Sequence, residues 1–447
     1  MMMRILPLFL LLAPAPAASA DLPSVVAAAL SRSPGVAETR ARKKQADAAG
    51  REAFWSRWPR LTARGSFMRG DDPLFAFGEL LQERRVAAAD FDPNALNNPD
   101  YRTAAHGTLE LGVPLFSGFE LTRESKLAGL SAGEADSFSD GASQTVRLRA
   151  ADAFLRALKD RALLAELDAR IASAQAAIAS AERLKKQGLV LGSDHQAALA
   201  IFSGLKAWRA RSAAELSAHE AELSVLVGGA APETAGLLRD WTPPLEDDAT
   251  LVAAALASRP DLHAADFRKR EASVRRDGAA QSLLPSVDAF AAVDAAADGF
   301  NSGAAGRLVG VRASLPFGDP AYLSRRDRAK ADEDAVAAAR AGLEDAARSE
   351  VLSRAAGLRG LASVLPDLNE SLARARDSLE EVRPLYREGR QSVLEVLRAE
   401  EAVARLEDSR LDAVYRLRSD WAALRAAQGL LDDGAVTELA RSLEEPR

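Results

Sequence analysis

The chain of 447 residues repeats one pattern twice, and this duplication limits its possible folds more than any other feature. The segment SRSPGVAETRARKKQADAA is matched by ASRPDLHAADFRKREASVRR, which places Pro260 226 residues after Pro34. Further along, the spacing between matching residues falls to 202, because the first copy carries a longer insertion. Matching segments keep the same order throughout, so we expect two copies of one structural unit, at 21–228 and 229–431.

Both copies have the same predicted order of elements. Two helices are followed by a strand, a loop, a second strand, a very long helix, a glycine-containing turn and a return helix. In each copy one proline begins the second helix and another ends it. The first copy has a long loop at 70–105, and a short polar C-terminal tail is predicted at 432–447. The predicted strands lie at about 60–69, 106–116, 286–294 and 307–317.

Each predicted strand alternates apolar and polar residues, as Leu61, Ala63 and Phe67 do with Thr62 and Arg64. A period of two is typical of a strand with one apolar and one polar face. A strand of about ten residues, tilted by about 45°, is long enough to cross a bilayer as part of a barrel. For any one segment, the alternative is a half-buried strand of a soluble sheet.

Two stretches, 119–187 and 319–388, are rich in helix-forming residues. Each corresponds to a helix of about 100 Å at the usual rise of about 1.5 Å per residue, which is longer than a globular domain requires. Between Leu164 and Ala181, apolar residues recur at intervals of three and four, which is the pattern of a coiled-coil seam. A glycine and a return helix follow each stretch, so we predict two antiparallel helical hairpins.

The N-terminal segment and the composition limit the class of protein. Residues 1–20, MMMRILPLFLLLAPAPAASA, have the form of a secretory signal peptide, so export is expected. The chain has no cysteine, and no later run of apolar residues is long enough for a transmembrane helix. The net charge of −6 argues against nucleic acid as a partner. The four histidines lack the spacing of a metal site and no catalytic motif is present, so neither an enzyme nor a metal or other cofactor is predicted.

Four amphipathic strands per chain cannot close a barrel, and open strand edges are not tolerated in lipid because their backbone groups lack partners. Two chains would supply eight strands, whose interior is filled by side chains, whereas three chains supply twelve and leave a lumen. We therefore predict an α+β fold in which a homotrimer shares a twelve-stranded transmembrane β-barrel. Its six long antiparallel helical hairpins are expected to form an α-barrel continuous with it.

With these features the sequence resembles the TolC family of outer-membrane efflux proteins. The resemblance is carried by the duplicated layout, by RPDL at 259–262, LPS at 284–286 and VPLFSG at 113–118, and above all by the tip sequences GLVLGSD and EGRQSVLE. It extends over nearly the whole chain after residue 20.

The resemblance implies a passive channel-tunnel of a tripartite efflux or secretion system, in the cell outer membrane with its helical tunnel in the periplasm. It implies gating at the periplasmic helix tips and docking by a periplasmic adaptor and an inner-membrane transporter. Outer-membrane lipid would then surround the strands. The alternative is a periplasmic coiled-coil scaffold or adaptor protein without a pore.

The resemblance also implies roles for residues at the two tips. In the best-known member of the family, a tyrosine and an arginine of the second tip hold the closed state by binding a Thr-Asp pair of the first tip. Tyr386 stands at the tyrosine position and Ser193-Asp194 at the pair, so a hydrogen bond from the Tyr386 hydroxyl to the Asp194 carboxylate is implied. The hairpin turns are expected at three glycines: Gly188, Gly192 and Gly389.

Other tip positions depart from the family. Gln391 occupies the arginine position with Arg390 beside it, so the latch is either weakened or supplied by Arg390. Glu395 and Arg398 stand where the family has two aspartates that ring the pore mouth. Three Glu395 carboxylates would favour cations, whereas pairing with Arg398 at i+3 would cancel much of that field. Helix capping, with Ser193 or Asp194 as an N-cap, is the alternative role for the tip residues.

Aromatic residues mark two further segments. Phe75, Phe77 and Phe91 lie in the loop at 70–105 and favour a loop that folds onto something apolar. This loop either narrows the outer mouth of the barrel or packs on its rim. Trp55 and Trp58 precede the first strand and favour either an interfacial aromatic belt or packing at the helix-to-strand junction.

Overall fold

The computed structural model describes residues 20–187, 190–299 and 303–443. Within this part of the chain, no helix is both long enough and apolar enough to cross a membrane. A short 3-10 helix lies at Ala88–Phe91. The α-helices are Leu22–Arg32 (α1), Pro34–Trp55 (α2), Pro73–Gln82 (α3), Pro93–Asn97 (α4), Glu120–Lys186 (α5), Gly192–Val227 (α6), Asp248–Ser258 (α7), Pro260–Gln281 (α8), Tyr322–Arg387 (α9), Val393–Ala427 (α10) and Asp433–Arg441 (α11).

Several helices begin where the sequence supplies an N-terminal signal. Asp21, Asp247 and Asp432 are the N-caps of α1, α7 and α11, and each carboxylate accepts a backbone N–H of the first turn. Pro34 and Pro260 are the first residues of α2 and α8, a position where the missing N–H of proline would have no helical partner in any case.

The two long helices have 67 and 66 residues, and the second of them, α9, continues through two prolines. Along α9 one buried residue recurs every seven positions, from Val351 to Tyr386. A sevenfold repeat keeps one narrow stripe of a helix against its neighbours, as in a coiled coil. Tyr386 therefore occupies the last position of a packing seam. The members of this stripe are Val351, Leu358, Leu365, Leu372, Leu379 and Tyr386.

The sheet is antiparallel, with strands in the order β1-β2-β3-β4. Each strand pairs with the next along the chain, so β1 and β4 form the two edges. A register shift between Pro114 and Phe116 interrupts the pairing of the second strand with the third. The strands are Arg60–Gly70 (β1), Arg102–Ser117 (β2), Ser286–Asp298 (β3) and Ala304–Ser314 (β4).

The register gives the sheet one apolar and one polar face. Leu61 lies opposite Leu111 and Ala63 opposite Leu109, and the leucines of this face are exposed in the single chain. On the other face the Thr108 hydroxyl donates to the Asp294 carboxylate at 2.7 Å. The same face carries an ion pair between Arg64 and Glu110 at 3.3 Å. The alternation predicted from the sequence is therefore present in the strand pairing.

The chain divides into two compact units. The first comprises Met1–Ala41, Ser137–His263 and Ala341–Arg447, and it contains the large buried core between the helices. Much of that core is alanine, as at Ala150, Ala151 and Ala153. Small side chains allow helices to approach closely. The second unit comprises Arg42–Asp136 and Ala264–Arg340, and it contains the sheet.

The C-terminal segment differs from the predicted polar tail at 432–447. Residues 433–441 form α11, which packs against α1 and α10 through Val436 and Leu439. Arg418 of α10 is fully buried and donates to the Ser442 carbonyl at 2.7 Å. Burial lowers the pKa of Arg418 to about 10. The apolar residues of this segment are few but lie on one helical face, so packing overrides its polar composition.

The segment predicted as a loop at 70–105 also contains regular structure. It includes α3, the 3-10 helix and α4, and β2 begins at Arg102. Phe77 packs edge-to-face on Phe91 with ring centroids 5.6 Å apart. This ring contact packs the 3-10 helix against α3.

Candidate functional site

The candidate site is formed by the two hairpin tips, between α5 and α6 and between α9 and α10. The second tip closes with a Schellman motif, in which Arg390 N–H donates to the Leu385 carbonyl at 2.8 Å and Gly389 N–H to the Tyr386 carbonyl at 3.0 Å. Gly389 has a φ of +72°, a conformation that glycine adopts at little cost.

The first tip depends less on its glycines. Gly192 is the first residue of α6 and does not have a positive φ. Gly188 lies outside the described residues. The role expected for glycine at a turn is therefore supported by the backbone conformation at Gly389.

Tyr386 differs from its predicted role. Its hydroxyl donates to the Ala177 carbonyl of α5 at 3.0 Å, so the implied hydrogen bond to the Asp194 carboxylate is not formed. The physical reason is the seam of α9, which turns the ring toward α5 and leaves the side chain 8% exposed. Burial raises the pKa of the Tyr386 hydroxyl, against the opposing effect of Arg183.

Ser193 and Asp194 lie in the first turn of α6 but do not cap it. The N-cap is Leu191, which has no side-chain capping hydrogen bond, and the Ser193 hydroxyl lies 3.4 Å from Asp194 Oδ1. The predicted capping role is therefore wrong in position, because the helix begins one residue before Ser193. The following residue, His195, is 7% exposed and neither ring nitrogen has a hydrogen-bond partner among the described residues.

The charged residues of the second tip pair locally. Arg398 Nη1 lies 2.9 Å from Glu395 Oε1, which is the i+3 pairing considered from the sequence. Arg390 lies 3.5 Å from Glu388, and Gln391 is exposed. The cap of α10 is the neighbouring serine, Ser392, whose hydroxyl accepts the Glu395 N–H at 3.4 Å. Among the described residues of the two tips, these side chains form local pairs rather than a bridge from one tip to the other.

A buried glutamate, missed by the sequence analysis, joins three helices next to the tips. Glu400 of α10 is 0% exposed, and Arg383 of α9 donates to its Oε1 at 2.8 Å. Arg170 of α5 donates to its Oε2 at 3.3 Å, and the hydroxyl of Ser173 also donates to the carboxylate. A buried charge of this kind is tolerated because each carboxylate oxygen has partners.

The network continues along the same helices. Glu407 of α10 is nearly buried and pairs with Arg376 at 2.9 Å and with Arg410 at 3.4 Å. Arg376 also lies 3.5 Å from Glu166 of α5, and Arg410 lies 2.8 Å from Asp240. The sequence signal for this network was available, because Glu400 and Glu407 stand seven residues apart at positions of α10 that are otherwise apolar and buried.

The fold defines a class of proteins that combine long helical hairpins with a small amphipathic sheet. CusC, whose structures concern folding and transmembrane channel formation, has a TM-score of 0.78 with 17% identity over 92% of each chain. VceC, an outer membrane protein of Vibrio cholerae, has a TM-score of 0.74 and 20% sequence identity, with 91% of this chain and 96% of VceC covered. The open state of the MtrE outer membrane channel of Neisseria gonorrhoeae has a TM-score of 0.76 and 16% sequence identity, with 92% of this chain and 90% of MtrE covered.

The family match is more specific. Residues 251–430 match the family model for outer membrane efflux proteins. No curated protein sequence matches the chain significantly. The family match and the shared fold together confirm the resemblance to the TolC family and, at the level of the family, the predicted function as an outer-membrane efflux channel. This is a family of channels rather than of enzymes.

Proposed function

We propose that the chain is one third of a passive conduit across the outer membrane. Three copies of the sheet close a twelve-stranded barrel, and six helical hairpins line a tunnel in the periplasm. The tips of the hairpins gate the tunnel and face a periplasmic adaptor and an inner-membrane transporter. The conduit itself needs no cofactor and binds no nucleic acid.

The observation that carries this proposal is the two-faced sheet with two free edges. Among the described residues β1 and β4 each have one strand neighbour, and the apolar face exposes large side chains such as Val309 and Val311. Such a face is stable next to lipid, but only if the edges are paired. Pairing β4 of one copy with β1 of the next satisfies both requirements and leaves the polar face toward a lumen.

Aromatic side chains at the start of the sheet support the same placement. The rings of Trp55 and Trp58 lie 5.5 Å apart, and both are more than half exposed. The ring of Phe54 packs edge-on against the ring of Trp55, with 5.4 Å between the ring centroids. Exposed aromatic clusters of this kind are enriched at the membrane–water boundary.

The gate is proposed to open when the α9–α10 hairpin moves relative to α5. The Tyr386 hydroxyl and the Glu400 carboxylate are the contacts that such a movement breaks first, because both join the second hairpin to α5 near the tips. The pair Glu395–Arg398 reduces the negative field that Glu395 would otherwise create at a narrow mouth.

The proposal is tested by cell fractionation and planar-bilayer recording of the full-length protein. A conduit copurifies with outer membranes, behaves as a trimer in detergent and forms channels. The periplasmic scaffold, which is the alternative, would be released by salt and would not conduct. A water-soluble monomer without channel activity would refute the proposal.

The tip contacts are tested by Tyr386→Phe, which removes the hydroxyl but keeps the buried ring. Under the proposal this variant has a higher open probability than the parent protein, because closure loses the hydrogen bond to Ala177. Tyr322→Phe is the matched control, since this hydroxyl belongs to the other unit and bonds to the Ala280 carbonyl at 3.3 Å. Equal open probabilities in the two variants would remove Tyr386 from the gate.

A further inference from the structure

The segment between β1 and β2 lies against the polar face of the sheet. Glu79 of α3 accepts a hydrogen bond from His106 Nε2 on β2, with 2.8 Å between the two atoms. His106 shares its face with Thr108 and Glu110, because side chains alternate along a strand. The register places Ala104 and Ala296 on the same face, and they are 0% and 5% exposed. Thus α3 covers part of the face that carries the polar residues.

Two arginines after α3 extend this contact. Arg84 Nη2 donates to the Ala305 carbonyl of β4 at 2.9 Å. Arg85 Nη1 donates to Asp298 Oδ2 of β3 at 3.2 Å, and Asp298 belongs to the polar face. The segment is therefore held to β2, β3 and β4.

The backbone at Arg84 is strained to make these contacts. Arg84 has a φ of +57° and stands at the end of α3, where Arg85 N–H donates to the Leu80 carbonyl at 2.9 Å. This is the geometry that glycine favours at a helix C-terminus, and a residue with a side chain adopts it at an energetic cost. Such strain persists where surrounding contacts enforce it. Here it directs Arg84 and Arg85 to the sheet.

The contact is also incompletely satisfied. Glu79 is 4% exposed, and its Oε2 has no hydrogen-bond partner among the described residues. Strain at Arg84 lowers the stability of the contact between α3 and the sheet, so release of the segment is made easier.

We propose that residues 71–101 form a lid that occupies the lumen side of the barrel at its outer end and restricts the pore until it is displaced. The inference rests on the proposed function, which makes the polar face of the sheet the lumen face. The lid lies at the end of the sheet opposite the helical connections, because it joins the end of β1 to the start of β2. The pore is then restricted at its outer mouth as well as at the tips.

The second repeat provides an internal control for the design of a test. Its strands β3 and β4 are joined between Asp298 and Ala304, so this fold does not require a long segment at that position. Gly70 is paired with Arg102, which means that a two-residue Asn-Gly turn can close the β1–β2 hairpin. Replacement of 71–101 by Asn-Gly removes the lid and keeps the strand register.

The lid is tested by single-channel recording of the lidless protein in planar bilayers. We expect the lidless protein to conduct about twofold more than the parent, because the lid occupies lumen cross-section. Leu74→Ala, at an 83% exposed position of α3, is the control and should conduct like the parent protein. Channels of unchanged conductance in the lidless protein would overturn the lid but leave the conduit intact. Absence of channels in both proteins would overturn both.

A second measurement does not depend on deletion of the segment. Because the chain contains no cysteine, Ala104→Cys can be labelled with a hydrophilic thiol reagent on whole cells. Under the proposal this site is protected, and Glu79→Ala with Arg85→Ala increases its labelling rate severalfold. Leu74→Cys, at an 83% exposed position of the segment itself, should label rapidly in both backgrounds. Rapid labelling of Ala104→Cys with the lid intact would refute the inference.

Discussion

At the scale of single residues, charged side chains form the contacts between the helices near the tips. Glu400 is completely buried and is joined to α5 and α9 by Arg170 and Arg383. A buried pair of this kind is a weak source of net stability, but loss of one partner is costly because the other charge stays buried. Its role is therefore to allow one arrangement of three helices and to penalise others.

Glu400→Gln is expected to lower the free energy of unfolding by about 3 kcal/mol, because Arg170 and Arg383 lose their buried counter-charge. Thermal unfolding followed by the helical circular dichroism signal provides the measurement. The control is Glu401→Gln, since Glu401 is partly exposed and pairs with Arg405, and such pairs contribute about 0–1 kcal/mol. Similar decreases in the midpoint of thermal unfolding for the two variants would contradict the role assigned to Glu400.

Asp408 of α10 is a half-buried carboxylate with a testable effect. Burial raises the pKa of Asp408, with Asp412, Glu215 and Asp160 acting in the same direction and Lys159 opposing them. A raised pKa means that the folded state binds the proton more tightly than the unfolded chain does. The ionised form at neutral pH therefore destabilises the fold, and this effect disappears as the pH falls through the raised pKa.

Asp408→Asn is accordingly expected to raise the midpoint of thermal unfolding at pH 7. The difference from the parent should shrink in acid and vanish below the usual aspartate value of 3.8. Asp377→Asn, at an exposed position of α9, should change the midpoint little at either pH. A difference at Asp408 that is constant over this pH range would contradict the assignment to ionisation.

At the scale of elements, α3 and α9 end with the same hydrogen-bonded motif but with different residues in the left-handed position. Gly389 follows α9 and Arg84 follows α3. Glycine makes the tip of the second hairpin an unstrained turn. Arginine makes the end of α3 a strained turn. This strain is consistent with a segment that separates from the sheet more readily than the second tip changes its conformation.

Gly389→Ala is expected to destabilise the second hairpin by about 1–2 kcal/mol, because alanine is unfavourable at a positive φ. Apart from the adjoining residues, no atom of the described part of the chain lies within 4 Å of the added Cβ, so the effect is conformational. Gly192→Ala also meets no atom within 4 Å but lies at an ordinary helical position, and it should be neutral or slightly stabilising. Thermal unfolding of the two variants side by side distinguishes these cases, and equal midpoints would exclude the strained turn.

At the scale of the whole molecule, the two faces of the sheet decide where the protein can reside. The proposed trimer places one face in lipid and the other toward water. Adjacent residues of β4 test this separation, since Val309 lies on the apolar face with an exposure of 81% and Leu308 lies on the polar face with an exposure of 55%.

Val309→Arg is expected to reduce the amount of protein in the outer membrane, because an arginine on a lipid-facing strand position costs about 2–4 kcal/mol near the midplane. Leu308→Arg places the same charge toward the lumen and should assemble normally. Quantitative blots of outer-membrane fractions, with detergent-solubilised trimer as a second readout, make the comparison. If both variants assembled equally well, the polar face could not be the lumen face.

The sequence by itself determined the order and type of the elements. Alternation along the strands, the spacing of apolar residues in the long helices and the prolines at helix starts are local signals, and each follows from backbone geometry within a few residues. The duplication and the tip sequences then indicated the family. Short segments with few apolar residues, such as 433–441, were missed because their burial depends on surfaces supplied by other helices.

Only the tertiary structure decided which side chains meet. Tyr386 lies 209 residues from Ala177 and Glu400 lies 230 residues from Arg170, and each contact depends on how far one long helix is shifted along another. A heptad repeat specifies the face of a helix that packs but leaves its axial alignment open, because a shift by one repeat keeps the same face. The contact between α3 and the sheet could not be predicted for the same reason. Strand alternation defines two faces but not which of them the Glu79 carboxylate contacts.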